Sequence, residues 1–554
     1  MSEYFDLGDY SMKVTTGSAE AQTWFDRGLA WCYGFNHDEA IACFRKALEA
    51  DSALAMAHWG IAYAAGPNYN KPWEMFDPED LAKCHAITRA EIEKALAAAP
   101  SASALERALI HALEARCPAT PPEDLATLND AYALAMRNVY SAFPGNPDVA
   151  TFYAESMMNR TTWKLWDLKT GKHAEGADTA RIVEVLERGL ADNERTGRKP
   201  HAGLLHMYIH AMEMSPHPEK AIRACDQLRG LVPDSGHLQH MPTHIDVLCG
   251  NYQSVVDWNS NAIVADNKFL AREGPLNFYS FYRCHDYHFK AYGGMFLGRF
   301  ALAMEAADEM VRSLPDELMR VQSPPMADWL EAFVPTDYHV LIRFGKWEEI
   351  LAKPLPEDQH LYAFTTATAH YAKAVAAAAS NKLDIADKQA ILFEAAFERV
   401  PETRKLMNNF CRDILCVARE MMKGEIAYRR GQYDEAFAHL RKSVELDDNL
   451  PYDEPWGWMQ PTRHALGALL LERNHVEEAA SVYRADLGFD TTLSRACQHP
   501  DNVWALHGYH ECLTKLGRIE EANIIKQRLD LARARTDVPV KASCFCKQGA
   551  RAAA

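Results

Sequence analysis

Between residues 201 and 288 the chain carries histidine in three regular stripes. His206, His210 and Glu213 fall at i, i+4 and i+7 of HMYIHAME. His237, His240 and His244 fall at i, i+3 and i+7 of HLQHMPTH, and His285 and His288 at i, i+3 of HDYH. On a helix of 3.6 residues per turn each set lies on one face. Protonated imidazoles crowded on adjacent faces would repel one another, whereas neutral imidazoles converging on a cation do not. The pattern therefore predicts a metal site built from His206, His210, His237, His240, His244, His285, His288 and Glu213. Histidines outside the stripes, such as His37, His58, His111, His217, His439 and His475, read as structural or solvated.

The ligand chemistry narrows the ion. The chain has no zinc-finger spacing of cysteine and histidine and no D-x-D-x-D-G calcium loop. Imidazole with at most one carboxylate suits copper, iron, zinc or nickel, and copper heads the expectation, then iron or zinc. Met207, Met212, Met214 and Met241 lie close by in sequence and would favour copper(I), although methionine at helical spacing mostly fills cores. Two H-x3-H pairs and one H-x2-H supply three nitrogens to each of two metals, the number a dicopper centre that binds dioxygen needs. The alternative is one metal on two histidines and Glu213, with open positions, as in non-haem iron oxygenases. Tyr292 is the first candidate for a phenol that transfers a proton or orients substrate, ahead of Tyr208 and Tyr287, and Glu213 is the candidate carboxylate. Asp246 and Asp286 are expected behind the imidazoles, fixing tautomers. Pro242 removes one helical hydrogen bond and is expected to kink its helix, aiming His240 and His244 at one centre.

The elements that must position these faces are helices. Alanine, leucine and glutamate dominate, and no alternating run is long enough for a strand. The 554 residues carry a formal net charge of -17, which argues against nucleic acid as a partner, because phosphate binding needs a basic stripe. The beginning of the chain has no apolar core of a signal peptide, and no apolar run reaches the roughly 18 residues needed to span a bilayer. Thirteen scattered cysteines fit free thiols in a reducing, cytoplasmic setting better than a disulfide framework. Cys544 and Cys546 form a lone C-x-C, a weak metal signal. Neither a glycine-rich phosphate loop nor a G-x-S-x-G elbow is present.

Paired helical segments recur with a common frame. In TWFDRGLAWCYGFNHDEAIACFRKALEADS, the residues Trp24, Gly28, Ala40, Phe44, Ala47 and Ser52 are spaced as in a tetratricopeptide (TPR) repeat, whose period is about 34 residues. Gly424 with Ala436 and Gly467 with Ala479 repeat that spacing, and turns at Gly250, Gly298, Gly345 and Gly517 mark looser copies. The chain thus resembles TPR proteins over most of residues 20–530. The resemblance implies an all-α, TPR-type α-solenoid, a right-handed superhelix of helical hairpins whose concave lumen holds the site. The expected divisions are an N-terminal segment 1–20, one solenoid over 21–535 with the metal-site repeats at about 202–345, and a fraying tail over 536–554. Segments 67–78, 116–124 and 161–200 depart from the frame, and the last is expected to cover the lumen.

In that family, positions 2, 5, 9 and 12 of the first helix face the groove. Frames fixed from the turns put His206, His210 and Glu213 at 5, 9 and 12. They put His237, His240 and His244 at 2, 5 and 9, and His285, His288 and Tyr292 likewise. The same transfer places His339 at 9, His464 at 5 and His507 at 5 with Glu511 at 9, as additional candidates. HMYIHAME followed by HMPTHI also resembles a bacterial and fungal subgroup of TPR proteins carrying H-x3-H-x2-E and H-M-P-x-H-I helices. That resemblance implies a shared site and names no reaction. The leading expectation is a metal-dependent oxidoreductase or oxygenase acting on a small molecule. A zinc-dependent hydrolase or lyase and a non-catalytic TPR scaffold for a partner peptide are the alternatives.

Overall fold

The computed structural model describes residues 4–547. Among these the chain is helical almost throughout, and the strands Lys405–Leu406 and Asn409–Phe410 make one short antiparallel ladder. The helices pair as TPR-type hairpins, as in an α-solenoid. The first joins Ala19–Tyr33 to His37–Ala50 across a three-residue turn. Ser18 caps one helix by accepting from the Ala21 N–H, and Asn36 caps the next by accepting from the Glu39 N–H. Later hairpins pair Ser280–Leu297 with Phe300–Arg312, Cys411–Arg429 with Tyr433–Asp448, Thr462–Glu472 with Val476–Asp486, and Val503–Lys515 with Ile519–Arg533. The turn residues Gly298 and Gly345 have φ of 70° and 65°, a left-handed backbone that ends a helix at little cost only with glycine.

Small residues set how closely the helices approach. Phe44 is wholly buried between Gly28 and Gly60. A Cβ at position 28 would lie 2.6 Å from the Phe44 ring, and one at position 60 would lie 2.7 Å from it. Gly28→Val is therefore expected to destabilise the fold by about 1–3 kcal/mol through overpacking. Urea unfolding checks this, and an unchanged midpoint would remove Phe44 as the spacer of this hairpin.

The contacts gather the chain into two compact units. The first comprises Met1–Ile245 and Asn261–Arg272, and the second Asp246–Ser260 and Glu273–Ala554. In the first unit, residues 4–18 run as a non-helical strap: Asp6 and Asp234 exchange backbone and side-chain hydrogen bonds, and the Tyr10 hydroxyl donates to Asp148 at 2.7 Å.

In the second unit, residues 536–547 do not stand away from the helices, although the sequence predicts fraying there. The Asp537 carboxylate accepts from the Phe300 and Ala301 N–H groups, and Val540, Ala542, Ser543, Phe545 and Cys546 are buried. The rest of the tail, 548–554, lies outside the described residues. Cys544 and Cys546 are joined as a disulfide, and the other eleven cysteines form no disulfide among the described residues. No described helix is long and apolar enough to cross a membrane.

Candidate metal centre

Helix Ala202–Glu213 is buried at every position and packs on helices Pro147–Met158 and Thr179–Arg195 of the first unit. Its apolar residues leave no solvated side, which is why His206, His210 and Glu213 are almost completely excluded from water. The second stripe divides in two. Helix Gly236–His240 ends at Met241, and Pro242 begins a new helix, Pro242–Leu248, rather than kinking one. A proline is well placed there, because the first helical N–H has no partner to lose. His237 and His240 thus come from one short helix and His244 from the next.

The first unit brings His206, His210, Glu213, His237, His240 and His244 together. His206, His210 and His237 each offer a nitrogen within 4.8 Å of the other two. Hydrogen bonds fix which nitrogen that is. The Nδ1–H of His206 donates to the Tyr33 carbonyl at 2.6 Å. The Nδ1–H of His210 donates to Glu213 Oε1 at 3.0 Å, and that of His244 donates to Glu213 Oε2 at 2.8 Å. In a neutral ring whose Nδ1 carries the proton, Nε2 keeps its lone pair. Among the described residues, the Nε2 of His210 has no hydrogen-bond partner. His206 Nε2 faces His237 Nε2 at 3.1 Å, and His244 Nε2 faces His240 Nε2 at 2.7 Å.

Glu213 hydrogen-bonds two of the imidazoles. It forms a second triad with His210 and His244, but each contact in it is a hydrogen bond from an Nδ1–H. One carboxylate thereby orients two rings. Burial keeps these rings neutral. It pushes His206 and His244 down to about 3, and drives His210 and His237 well below the usual imidazole value with help from neighbouring histidines. Neutral nitrogen is the form that ligates a metal.

Three aromatic side chains close over this cluster, and the histidine pattern did not reveal them. Phe35 stacks near-parallel on His210 at 6.0 Å and on His237 at 5.6 Å, and lies 4.6 Å from His206. Tyr69 lies 5.0 Å from His210 and Trp163 stands edge-on to it at 5.6 Å. The Trp163 N–H donates to the Tyr69 hydroxyl, and Trp166 Nε1–H donates to the Ala211 carbonyl beside His210. Phe35 and Trp163 both have positive φ, 56° and 58°. Bulky residues pay about 1–3 kcal/mol for such a backbone, and strain of this kind concentrates at functional sites. The signal available in sequence was compositional. Tyr69 and Trp163 fall in 67–78 and 161–200, two segments that break the repeat frame, although Thr179–Arg195 within the latter is an ordinary helix.

The remaining candidates belong to the second unit. His285, His288 and Tyr292 lie buried on Ser280–Leu297, where Tyr292 packs on Phe296 at 4.5 Å. Burial, with His339 nearby, lowers His288 to about 3, and burial lowers His339 to about 4. His464 has both nitrogens engaged: Arg343 donates to Nδ1 at 2.9 Å, and Nε2–H donates to the buried Asp486 at 2.9 Å. His507 Nδ1 accepts from Arg533 at 2.6 Å. Asp486 also accepts from His499, so His464, Asp486 and His499 form one buried hydrogen-bond network.

No protein-family model matches this chain, and no curated protein matches it. Among solved structures it is similar to the human IFIT1 dimer with PPP-AAAA, at 11% identity over 91% of this chain and 89% of that one, with a TM-score of 0.31. It is also similar to yeast Tom70, at 11% identity over 92% and 99% with a TM-score of 0.28. The third is Naa15/Naa10 bound to HypK-THB, at 13% identity over 92% and 70% with a TM-score of 0.21.

Proposed function

We propose that this chain is a metal-dependent oxidoreductase of the reducing cytoplasm, acting on a small molecule at an all-imidazole centre in its first unit. The carrying observation is the tautomer pattern. Tyr33 and Glu213 accept the Nδ1 protons of His206, His210 and His244, which leaves Nε2 lone pairs gathered in a dry space. His206, His210 and His237 are the proposed ligands. A zinc ion holds nitrogen at about 2.0–2.1 Å, and copper at similar range, so a triad within 4.8 Å closes on an ion with small ring rotations. Nitrogen-only donors favour copper, then iron or zinc.

Such an ion would supply electron transfer or Lewis acidity. The protein's own contribution is orientation and exclusion of water. Glu213 holds two rings in one tautomer, and Phe35, Tyr69 and Trp163 shield the centre, so that a small apolar molecule is the natural reactant. The H-x3-H-x2-E and H-M-P-x-H-I helices, as in the TPR subgroup they resemble, supply these groups.

The test is elemental analysis of protein purified with and without oxygen and with copper, iron or zinc supplied. At least one equivalent of copper or iron is expected, with a redox signal. Less than about a tenth of an equivalent of any transition metal would end the proposal, since a preformed neutral site should load. A colourless, redox-silent, zinc-loaded protein would move the reading to a hydrolase or lyase.

A further inference from the structure

In the second unit, residues 541–547 lie in a groove among the last hairpins and are held by side chains, with no regular secondary structure. The Tyr483 hydroxyl meets Ser543 Oγ at 2.5 Å, and Ser543 Oγ–H donates to the His464 carbonyl at 2.9 Å. Arg343 donates to the Ser543 carbonyl and Arg429 to the Cys546 carbonyl. Phe545 seats on Gly345, where an added Cβ would come within 2.6 Å of its own Cβ, and its ring lies 6.0 Å from Trp504. Lys547 Nζ reaches both Glu511 oxygens at 2.9 and 3.0 Å.

The groove is built for such an occupant. Tyr483 reaches Ser543 only because Gly467 and Gly508 flank it. A Cβ at either position would fall 2.5 or 2.3 Å from its ring. Among the described residues, Arg343 is 4% exposed with no carboxylate in hydrogen-bonding contact: its fork is spent on neutral acceptors, the Ser543 carbonyl and His464 Nδ1, and Nε–H has none. Arg429 pairs with the buried Glu425 at 2.8 Å, and its Nη1 lacks a partner among the described residues. A buried guanidinium that leans on the carbonyls of a segment without secondary structure is costly unless that segment, or an equivalent one, stays in place.

We propose that this groove is a peptide-docking site of the second unit, filled in cis by residues 541–547. In trans it accepts a partner segment with the same order of groups: a small hydroxyl residue, an aromatic two residues on and a cation two further. Ser543, Phe545 and Lys547 are the resident versions of those groups. The cis segment competes at the millimolar effective concentration typical of a short tether, so the groove opens to a partner only as that segment leaves.

The probe is a fluorescent peptide of residues 540–547 with serine at both cysteine positions, titrated into the full-length chain. With Ser543→Ala and Lys547→Glu together, the cis segment is loosened, and the peptide is expected to bind about tenfold or more tighter than to the unaltered chain. With Lys547→Ala in place of Lys547→Glu, so that no charge-swapped cis pair forms, adding Glu511→Lys should remove that binding, and a peptide with glutamate in place of its lysine should restore it. If the double variant loses its cooperative melt, Lys547→Glu alone, at the half-buried end, serves in its place. A loosened chain that melts normally and shows no saturable binding overturns the proposal. So does equal affinity for the loosened and unaltered chains.

Discussion

Replacing His210 with alanine is expected to lower transition-metal affinity by more than about 100-fold, beyond the 10–100-fold usual for losing a group that only orients a ligand. The reason is that His210 has two jobs. Its Nε2 belongs to the triad with His206 and His237, and its Nδ1–H is one of two protons held by Glu213. Removing the ring deletes a ligand and loosens the carboxylate that also fixes His244. Glu213→Gln separates these effects. Its amide oxygen can accept from one Nδ1–H, but its NH2 group faces the other donor and forces that ring to change tautomer. A loss of about 10–100-fold is expected for it. His217→Ala is the comparison, since His217 is exposed and its ring meets the neighbouring Glu219 at 3.3 Å, and it should leave affinity unchanged. Competition with a chromophoric chelator for copper(I) and zinc(II) reads all three. Unaltered affinity in a His210→Ala protein that melts like the parent would show that the triad is only a hydrogen-bonded core.

The helix faces were legible because spacing alone puts His206, His210 and Glu213 on one side of about two turns of helix. The contact of Glu213 with a second ring was not. Whether a carboxylate ligates or orients depends on where its second oxygen points, and here that oxygen meets His244, 31 residues away. The aromatic cover was hidden for a similar reason. Phe35 sits at the tip of the first hairpin, more than 160 residues before His206, and its left-handed backbone has no mark in sequence, since glycine or asparagine is the usual occupant there. His464 shows the converse. The repeat frame put it on the groove side, and Ser543 does bond to its carbonyl there, but a buried aspartate on the following helix, Asp486, claims one nitrogen and Arg343 the other. Repeat position fixes which way a side chain faces, and the partners contributed by the next helix decide what it is free to do.

Acid is expected to unfold the metal-free first unit steeply below about pH 6.5. Burial holds His206 and His244 at about 3, and His210 and His237 well below their ordinary value, while in the unfolded chain each returns to about 6.5. Above that value neither state binds the proton and stability is at its full level. As pH falls toward the folded values the unfolded chain takes up protons that the native chain refuses, so stability drops at about 1.4 kcal/mol per histidine per pH unit. Four such rings cost roughly 5–6 kcal/mol by pH 5.5, comparable with the whole stability of an ordinary domain. Urea unfolding at pH 7.5, 6.5 and 5.5, with hydrogen exchange read on the Ala202–Glu213 helix, checks this. A midpoint that does not move between pH 7.5 and 5.5 would mean these rings are already protonated in the native state, and neutral ligands would be lost with them. Added metal should oppose the transition, because an ion that binds only the native state contributes RT ln(1 + [L]/Kd) and keeps the nitrogens from protons. The acid midpoint should therefore fall as free metal rises, and that shift should vanish in His210→Ala.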